Sequence, residues 1–515
     1  MVSRVRARTI ADSLEAFTQR AEPLLKRHTA EVVLFFTTWA AVIYYAWDIN
    51  SWKFAFVGDE WQFYTAARAI ADKNLLVNPF DIHGVYGFNS VLGSVYQALF
   101  IKLLGANNAA WRLSNIILIV PISIFFYLWM RDRFDQRTAL LSTLILQASS
   151  FVANYLKIGY VNAQAFALFI VALYLAGRCG RQLTLRNAGW LGAILRVSFY
   201  IYIGPLFPLL VAPYLLPLLF ERRFTRQELL RAGALCLALY LTIALPGMLG
   251  SLGENSPVGK TIFAREYSDN AQTAINVFHD FLLFYQNFDY FYNHFIAGPY
   301  LDLASRILAA AGTLSALIAL VRFRSERYLY LLLAYTLAAV VIGVTTPYAY
   351  AATTRGIFFI PFGAAFAGIA LAALTRWLSV RRLAYALVAV IWLANIYQSQ
   401  VGVFQTTGYP ATSLLIKSLR EAQRQGLPRV VLLLAADHPY RNAGYVEVPI
   451  LQQAYGLQDE HLIVLDPTQV SCAALRDSRV ALFDDDTPAV NALGHLSCPA
   501  GTDYTLDTLA PAYLL

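Results

Sequence analysis

An acidic pair, Asp59-Glu60, stands directly after the first long apolar run, in the stretch GDEWQFYTAARAIAD (58–72). Gly58 turns the chain, and Trp61, Tyr64, Ala67 and Ile70 recur behind it at helical spacing. A carboxylate held at a membrane boundary can take the proton of an attacking hydroxyl as a general base. The same Asp59 is also a good helix N-cap, and Gln62 three residues later completes a capping-box-like pair. Adjacent residues on a helix do not share a face, so Asp59 and Glu60 divide their work, one positioning while the other reacts. A second charge draws notice inside AGWLGAILRVSFYIYIGP. Arg196 there is costly within a span; it either marks a shallower helix end or faces a cavity, where it would hold an anion or an acidic partner. A third feature, Asp484-Asp485-Asp486, ends a strand-like run and reads as a solvated turn before it reads as a metal site.

The elements that carry these residues follow from composition. Of the 515 residues 58% are hydrophobic and only 14% charged, against about 25% charged in an ordinary soluble domain. Apolar runs reach the roughly 20 residues that cross a bilayer, where the backbone must bond to itself and therefore be helical. Eleven spans are predicted, at about 30–49, 109–130, 138–155, 161–178, 188–203, 205–220, 230–249, 301–321, 328–344, 356–374 and 383–400. The expected fold is thus a polytopic α-helical membrane protein with about eleven transmembrane helices. Residues 1–29 are basic and amphipathic, with no apolar signal-peptide core, and are expected in the cytoplasm.

Charge distribution orients the chain. The net charge of +8 does not mark a nucleic-acid binder, because residues 401–515 hold seven basic and twelve acidic residues and the basic excess lies in short loops between spans. Threaded from an inside N-terminus, 22 of the 40 Lys and Arg fall on the cytoplasmic side, the positive-inside pattern. An odd number of spans then puts the C-terminus outside the plasma (inner) membrane. Counting 86–104 as a further span would invert every later basic loop, so that segment is expected to lie at the outer interface. Two outer loops are long, about 50–108 and 250–300, and loops of that size are usually functional. After residue 400 the apolar runs shorten to strand length, 429–436, 461–466 and 479–486, behind a helical stretch 412–426 stopped by Gly426. Residues 401–515 are expected to form a small extracytoplasmic α/β domain, in which Cys472 and Cys498 could pair.

In order and spacing, residues 30–400 resemble the GT-C glycosyltransferases that use polyprenyl-phosphate sugars, in particular the bacterial branch related to protein O-mannosyltransferases and the lipid A aminoarabinose transferase. The resemblance rests on Asp59-Glu60 after the first span and on LLGANNAAWRLS (103–114), with Arg112 opening the second span. It continues through RDRFDQRTALLSTLIL (131–146), IGYVNAQAFALFIVAL (158–173) and TTRGIFFIPF (353–362). It implies transfer of a sugar from a polyprenyl-phosphate donor to an extracytoplasmic glycolipid, polysaccharide or protein. Asp59 would be the base beside Glu60. Arg355 is the leading candidate to stabilise the departing phosphate, ahead of Lys157, Arg265 and Lys260, and all four also suit snorkelling to headgroups; Arg196, if it faces a cavity, would hold the donor phosphate. Tyr160, Asn162 and His83 are the candidate substrate contacts. Asn162 stands where the family often has Asp, a departure that weakens the case for a divalent metal; His83, His279, Asp280 and His294 are the loop residues able to ligate one. No cofactor is otherwise implied. The competing expectations are a transporter or lipid flippase, which would favour internal repeats that this sequence lacks, and a non-catalytic relative.

Overall fold

The structure is a computed structural model that describes residues 28–50, 60–81, 84–85, 91–201, 204–220, 224–250, 299–345, 353–377, 381–401, 411–437, 461–483, 486–498 and 504–509. Asp59, His83, Lys260, Arg265, His279, Asp280, His294, Asp484 and Asp485 lie outside the described residues. In chain order the longer helices are α1 (Thr29–Ala46), α2 (Glu60–Asp72), α3 (Val91–Leu104), α4 (Asn108–Ile116), α5 (Ile119–Arg133), α6 (Gln136–Ala148), α7 (Ser150–Lys157) and α8 (Asn162–Arg181). They continue with α9 (Leu185–Phe199), α10 (Arg226–Gly250), α11 (Leu303–Phe323), α12 (Glu326–Thr345), α13 (Ile360–Trp377) and α14 (Arg381–Val401).

Each predicted span coincides with a helix or a run of helical turns. Among the described residues five helices are long and apolar enough to cross a membrane, and a sixth crossing is formed if α6 and α7, bent by 56°, count as one. That bend has a local cause. Ser149 breaks the helical ladder, accepts the Val152 amide at 3.2 Å to start α7, and donates to the Tyr300 carbonyl at 3.2 Å. The stretch predicted as span 205–220 is not one straight helix but a chain of short turns. Pro205, Pro208, Pro213 and Pro217 remove amide donors and clash with the preceding turn, so no single helix can run through. Likewise 188–203 ends early: α9 stops at Phe199, which places Arg196 in its last turn. Helix α3 has 14 residues, too short to cross.

The bundle centres on α6, α8 and α13, with small residues where backbones meet. A Cβ on Gly368 of α13 would overlap the Ser142 backbone and hydroxyl of α6, and one on Gly312 of α11 would overlap the Phe366 carbonyl of α13. Without a hydrophobic drive between helices in lipid, such close approach supplies the packing. Polar side chains fix the register. Gln147 donates to Thr38 and Ser123, both at 2.9 Å, and Tyr45 donates to the Gln147 carbonyl at 2.7 Å. Asn395 accepts the Ser150 amide at 3.2 Å and donates at 3.1 Å to Asp302, the N-cap of α11. At the α5–α6 turn Asp135 caps α6. Burial alone would raise its pKa, but the Thr138 amide and hydroxyl and the Arg376 guanidinium outweigh that and hold it below the usual carboxylate range. Outward-facing Phe35, Phe36, Ile43, Val321 and Leu393 are exposed, a surface suited to lipid rather than water.

The C-terminal region is a four-stranded parallel sheet. Its strands are β1 (Arg429–Leu433), β2 (Leu462–Leu465), β3 (Ser478–Phe483) and β4 (Tyr504–Leu509), ordered β2-β1-β3-β4. Helix α15 (Ala411–Arg424) packs against β1 and β3, and Gly426 ends the chain reversal at φ +69°. Side chains alternate about β1, as a two-sided buried strand requires: Val430, Leu432 and Leu434 join the core that holds Leu415 and Leu419, while Val431 and Leu433 pack with Leu475, Val480 and Leu482. Strand β4 was not anticipated. Asp486 departs from the solvated turn expected of it: it is buried, caps the helix Thr487–Gly494, and accepts the Ala435 amide at 2.9 Å. Cys472 and Cys498 are disulfide-bonded, with Cα atoms 5.5 Å apart.

The closeness of α6 to α13 sets a strict limit on volume. Gly368→Val is expected to destabilise the bundle by about 1–3 kcal/mol or more, the usual range for overpacking, and to lower the thermal midpoint of the purified protein, whereas Gly233→Val, at a position open on all sides, leaves it nearly unchanged.

Candidate active site

The end of α7 and the non-helical linker to α8, residues 158–161, lie at the centre of the site. Lys157, Ile158 and Tyr160 are buried there, so the linker's backbone groups must find partners inside the protein. Side chains from three other helices provide them. Glu60 of α2 accepts the Gly159 amide at 2.6 Å, and Gln97 of α3 donates to the Gly159 carbonyl at 2.6 Å. Asn115 of α4 donates to the carbonyls of Ile158 and Tyr160, each at 2.8 Å, and Arg112 donates to the Lys157 carbonyl.

Glu60 and Arg112 form a buried ion pair. The Arg112 Nη1 lies 3.3 Å from Glu60 Oε1 and its Nη2 3.5 Å from Oε2, with side chains 1% and 0% exposed. The Trp111 indole donates to the same Oε1 at 3.1 Å, and Arg112 Nε donates to Asn108 Oδ1 at 2.9 Å. A carboxylate with this many donors is held in one orientation. The geometry depends on Gly159, because a Cβ there would overlap the Trp111 ring. Tyr64 packs edge-on to Trp111 at 5.4 Å, and Phe63 to Tyr160 at 6.0 Å, so α2 is fixed on both sides of the acid.

The other candidates fall into two groups. Lys157 ends α7, Tyr160 lies in the linker and Asn162 opens α8, all buried. The Lys157 ammonium lies 6.0 Å over the Tyr44 ring, close to the outer limit for a cation–π contact. Arg355 is 6% exposed. Its neighbour Gly356 packs on the Tyr300 ring, and Tyr300 in turn lies edge-on to Phe151 of α7 at 4.8 Å. Arg196 lies on α9, which packs against α10 and α8, and no contact joins it to the other candidates among the described residues. Among the described residues no three His, Cys, Asp or Glu come together as a metal site.

Reasoning from the sequence missed Gln97, Trp111 and Asn115 and treated Arg112 only as a span opener. A signal was present: Asn108, Arg112 and Asn115 stand at i, i+4 and i+7, one polar stripe on a helix in an apolar setting.

Residues 89–246 match the dolichyl-phosphate-mannose-protein mannosyltransferase family. No curated protein matches the chain by sequence. Among solved structures, the chain is similar to ArnT from Cupriavidus metallidurans bound to undecaprenyl phosphate, with TM-score 0.53 and 11% identity over 91% of this chain and 88% of that one. The apo state of ArnT matches with TM-score 0.50 and 16% identity over 78% and 73%. The archaeal oligosaccharyltransferase AglB from Archaeoglobus fulgidus, in complex with an inhibitory peptide and a dolichol-phosphate, matches with TM-score 0.50 and 12% identity over 87% of this chain; the chain spans 65% of AglB's length.

Removing one member of a buried pair strands the other. Arg112→Ala is expected to cost about 3–5 kcal/mol, and the double variant Glu60→Leu/Arg112→Met to recover part of it. Denaturant unfolding of the detergent-solubilised protein, run as a double-mutant cycle, measures the coupling.

Proposed function

On the premise that the chain has the GT-C fold of these membrane transferases, we propose that it transfers a sugar from a polyprenyl-phosphate donor to a hydroxyl of an extracytoplasmic glycolipid, polysaccharide or protein. The reading is carried by Glu60: its orientation is fixed by Arg112, Trp111 and the Gly159 amide, and it is covalently adjacent to Asp59. A base must sit within hydrogen-bond reach of the proton it takes, and an anchored neighbour restricts where Asp59 can go. Glu60 is therefore the positioning residue and Asp59 the reacting one.

The acceptor oxygen attacks the anomeric carbon as Asp59 removes its proton. The bond from that carbon to the phosphate oxygen breaks on the opposite face, configuration inverts, and the phosphate leaves on the lipid with the bonding electrons. Arg355, in the helical turn Thr353–Gly356, and Lys157, at the end of α7, are both buried and are the cations assigned to that developing charge. Tyr160 and Asn162, at the start of α8, are assigned to sugar hydroxyls. Arg196, in the last turn of α9, is given no part in the transfer. The bound lipid phosphates of the ArnT and AglB structures support the donor class. With Asn162 neutral and the loop histidines outside the described residues, no step is assigned to a metal. The disulfide between Cys472 and Cys498 supports an oxidising, extracytoplasmic location for the C-terminal sheet, and with it the outward orientation of the acceptor side.

Purified protein supplied with an undecaprenyl-phosphate-linked labelled sugar and an envelope extract as acceptor tests the reading. Asp59→Asn is expected to slow transfer by roughly 10²–10⁴-fold, the usual contribution of a general base, with donor binding kept. Undiminished transfer by the variant removes Asp59 as the base.

A further inference from the structure

The turn that follows α1 is held from two sides, by the transfer site and by the C-terminal sheet. Asp48 has φ +60°, in the left-handed region that side chains other than glycine seldom adopt, and Ile49 beyond it is buried. From the bundle, Asn108 of α4 donates to the Ile49 carbonyl at 2.9 Å. The same carboxamide accepts from Arg112 Nε at 2.9 Å, and Arg112 pairs with Glu60. Asn108 is 1% exposed, with both ends of its amide engaged, so it cannot follow one partner without losing the other. From the sheet, the half-buried Arg420 of α15 donates through its guanidinium to the Asn50 carbonyl.

Arg420 moves with the sheet. Ser418, on the same helix, donates to Asp507 of β4 at 2.6 Å, and Arg479 of β3 donates to that carboxylate at 2.8 Å. Leu415, Ile416 and Leu419 of α15 are buried. Among the described residues Arg420 makes no ion pair, whereas Arg424, one turn further, pairs with Glu421 at 3.7 Å. A charged donor on a backbone carbonyl makes a stronger bond than a neutral one. Hydrogen bonds therefore run without a break from Arg420 to the 49–50 backbone, then through Asn108 and Arg112 to Glu60, and from Glu60 to the Gly159 amide. Asp48, on the same turn, is near enough for its charge to act on the Lys157 ammonium.

We infer that Arg420 is a positioning residue for the transfer reaction: by holding the turn 48–50, it makes the orientation of Glu60 depend on the docked C-terminal sheet. The inference rests on the transfer reading given above. It gives the C-terminal region a part in the chemistry that needs no contact with substrate. The bond asks for one donor to one carbonyl, so a lysine ammonium can replace the guanidinium and an apolar side chain cannot.

The test uses the full-length protein in detergent, with Arg420→Met, which keeps the apolar stem, Arg420→Lys, and Arg424→Ala as control on the same helix. Transfer is measured from an undecaprenyl-phosphate-linked labelled sugar, and hydrogen exchange by mass spectrometry on peptides covering 157–162. Arg420→Met is expected to lower kcat about tenfold, the value of one hydrogen bond to a charged group, with the donor KM and the thermal midpoint unchanged. Arg420→Lys is expected to restore most of the rate, and Arg424→Ala to match the wild type. Exchange in the peptide that holds the Gly159 amide rises in Arg420→Met and not in Arg424→Ala. A wild-type kcat in Arg420→Met, no rescue by lysine, or unchanged exchange over 157–162 overturns the inference. If the wild-type protein transfers no sugar, the transfer reading fails by itself, and the exchange measurement, which needs no substrate, still decides whether Arg420 holds Glu60 in place.

Discussion

The buried pair of Glu60 and Arg112 sets the terms for one end of this bundle. Two opposite charges inside a low-dielectric interior are stable only when their remaining hydrogen-bonding capacity is also met. A peptide linker without helical bonding has the same need, since lipid offers no partners. The chain meets both needs with one arrangement. Glu60 and Arg112 neutralise each other, and their spare oxygen and nitrogen positions take up the Gly159 amide and the Lys157 carbonyl. Gln97 and Asn115 complete the linker. Helices α2, α3 and α4 and the α7–α8 linker are therefore tied together by polar bonds rather than by apolar contact alone, and Lys157, Tyr160 and Asn162 lie on or beside that framework.

Much of the architecture was legible from periodicity and charge. Long apolar runs can only be helices in a bilayer, and the strand-length runs after residue 400 recur as β1, β2 and β3. What escaped did so for physical reasons. In 205–220 apolar content masked four prolines whose geometry forbids a continuous helix. Strand β4, YTLDTL, carries polar residues at alternate positions and sits at the sheet edge, so it lacks the unbroken apolar signature of the inner strands. Its Asp507 is bound by Arg479 and Ser418, partners that lie far away in sequence.

The site was half legible. Asp59-Glu60 stood out because acids beside an apolar run are rare. The partner of Glu60 did not, because Arg112 is 52 residues away and an arginine at a span boundary is ordinary. Only the spacing of Asn108, Arg112 and Asn115 distinguishes an inward polar stripe from a snorkelling residue. Asp486 illustrates the same limit in the sheet: an acidic run looks solvated until the amide it accepts, that of Ala435, is brought to it by the parallel pairing of β1 with β3.

The positions of the linker's partners along the chain bear on how the protein is made. Glu60, Gln97, Arg112, Asn115 and Gly159 all fall within the first third of the sequence. A ribosome delivers residues in order, so Glu60 enters the membrane region before its cation exists. It can be neutralised once the second span is released, and the linker can be closed once residue 160 emerges. This polar set can thus be complete before α9 and every later helix emerge, and the remaining spans assemble around an end that is already electrostatically closed.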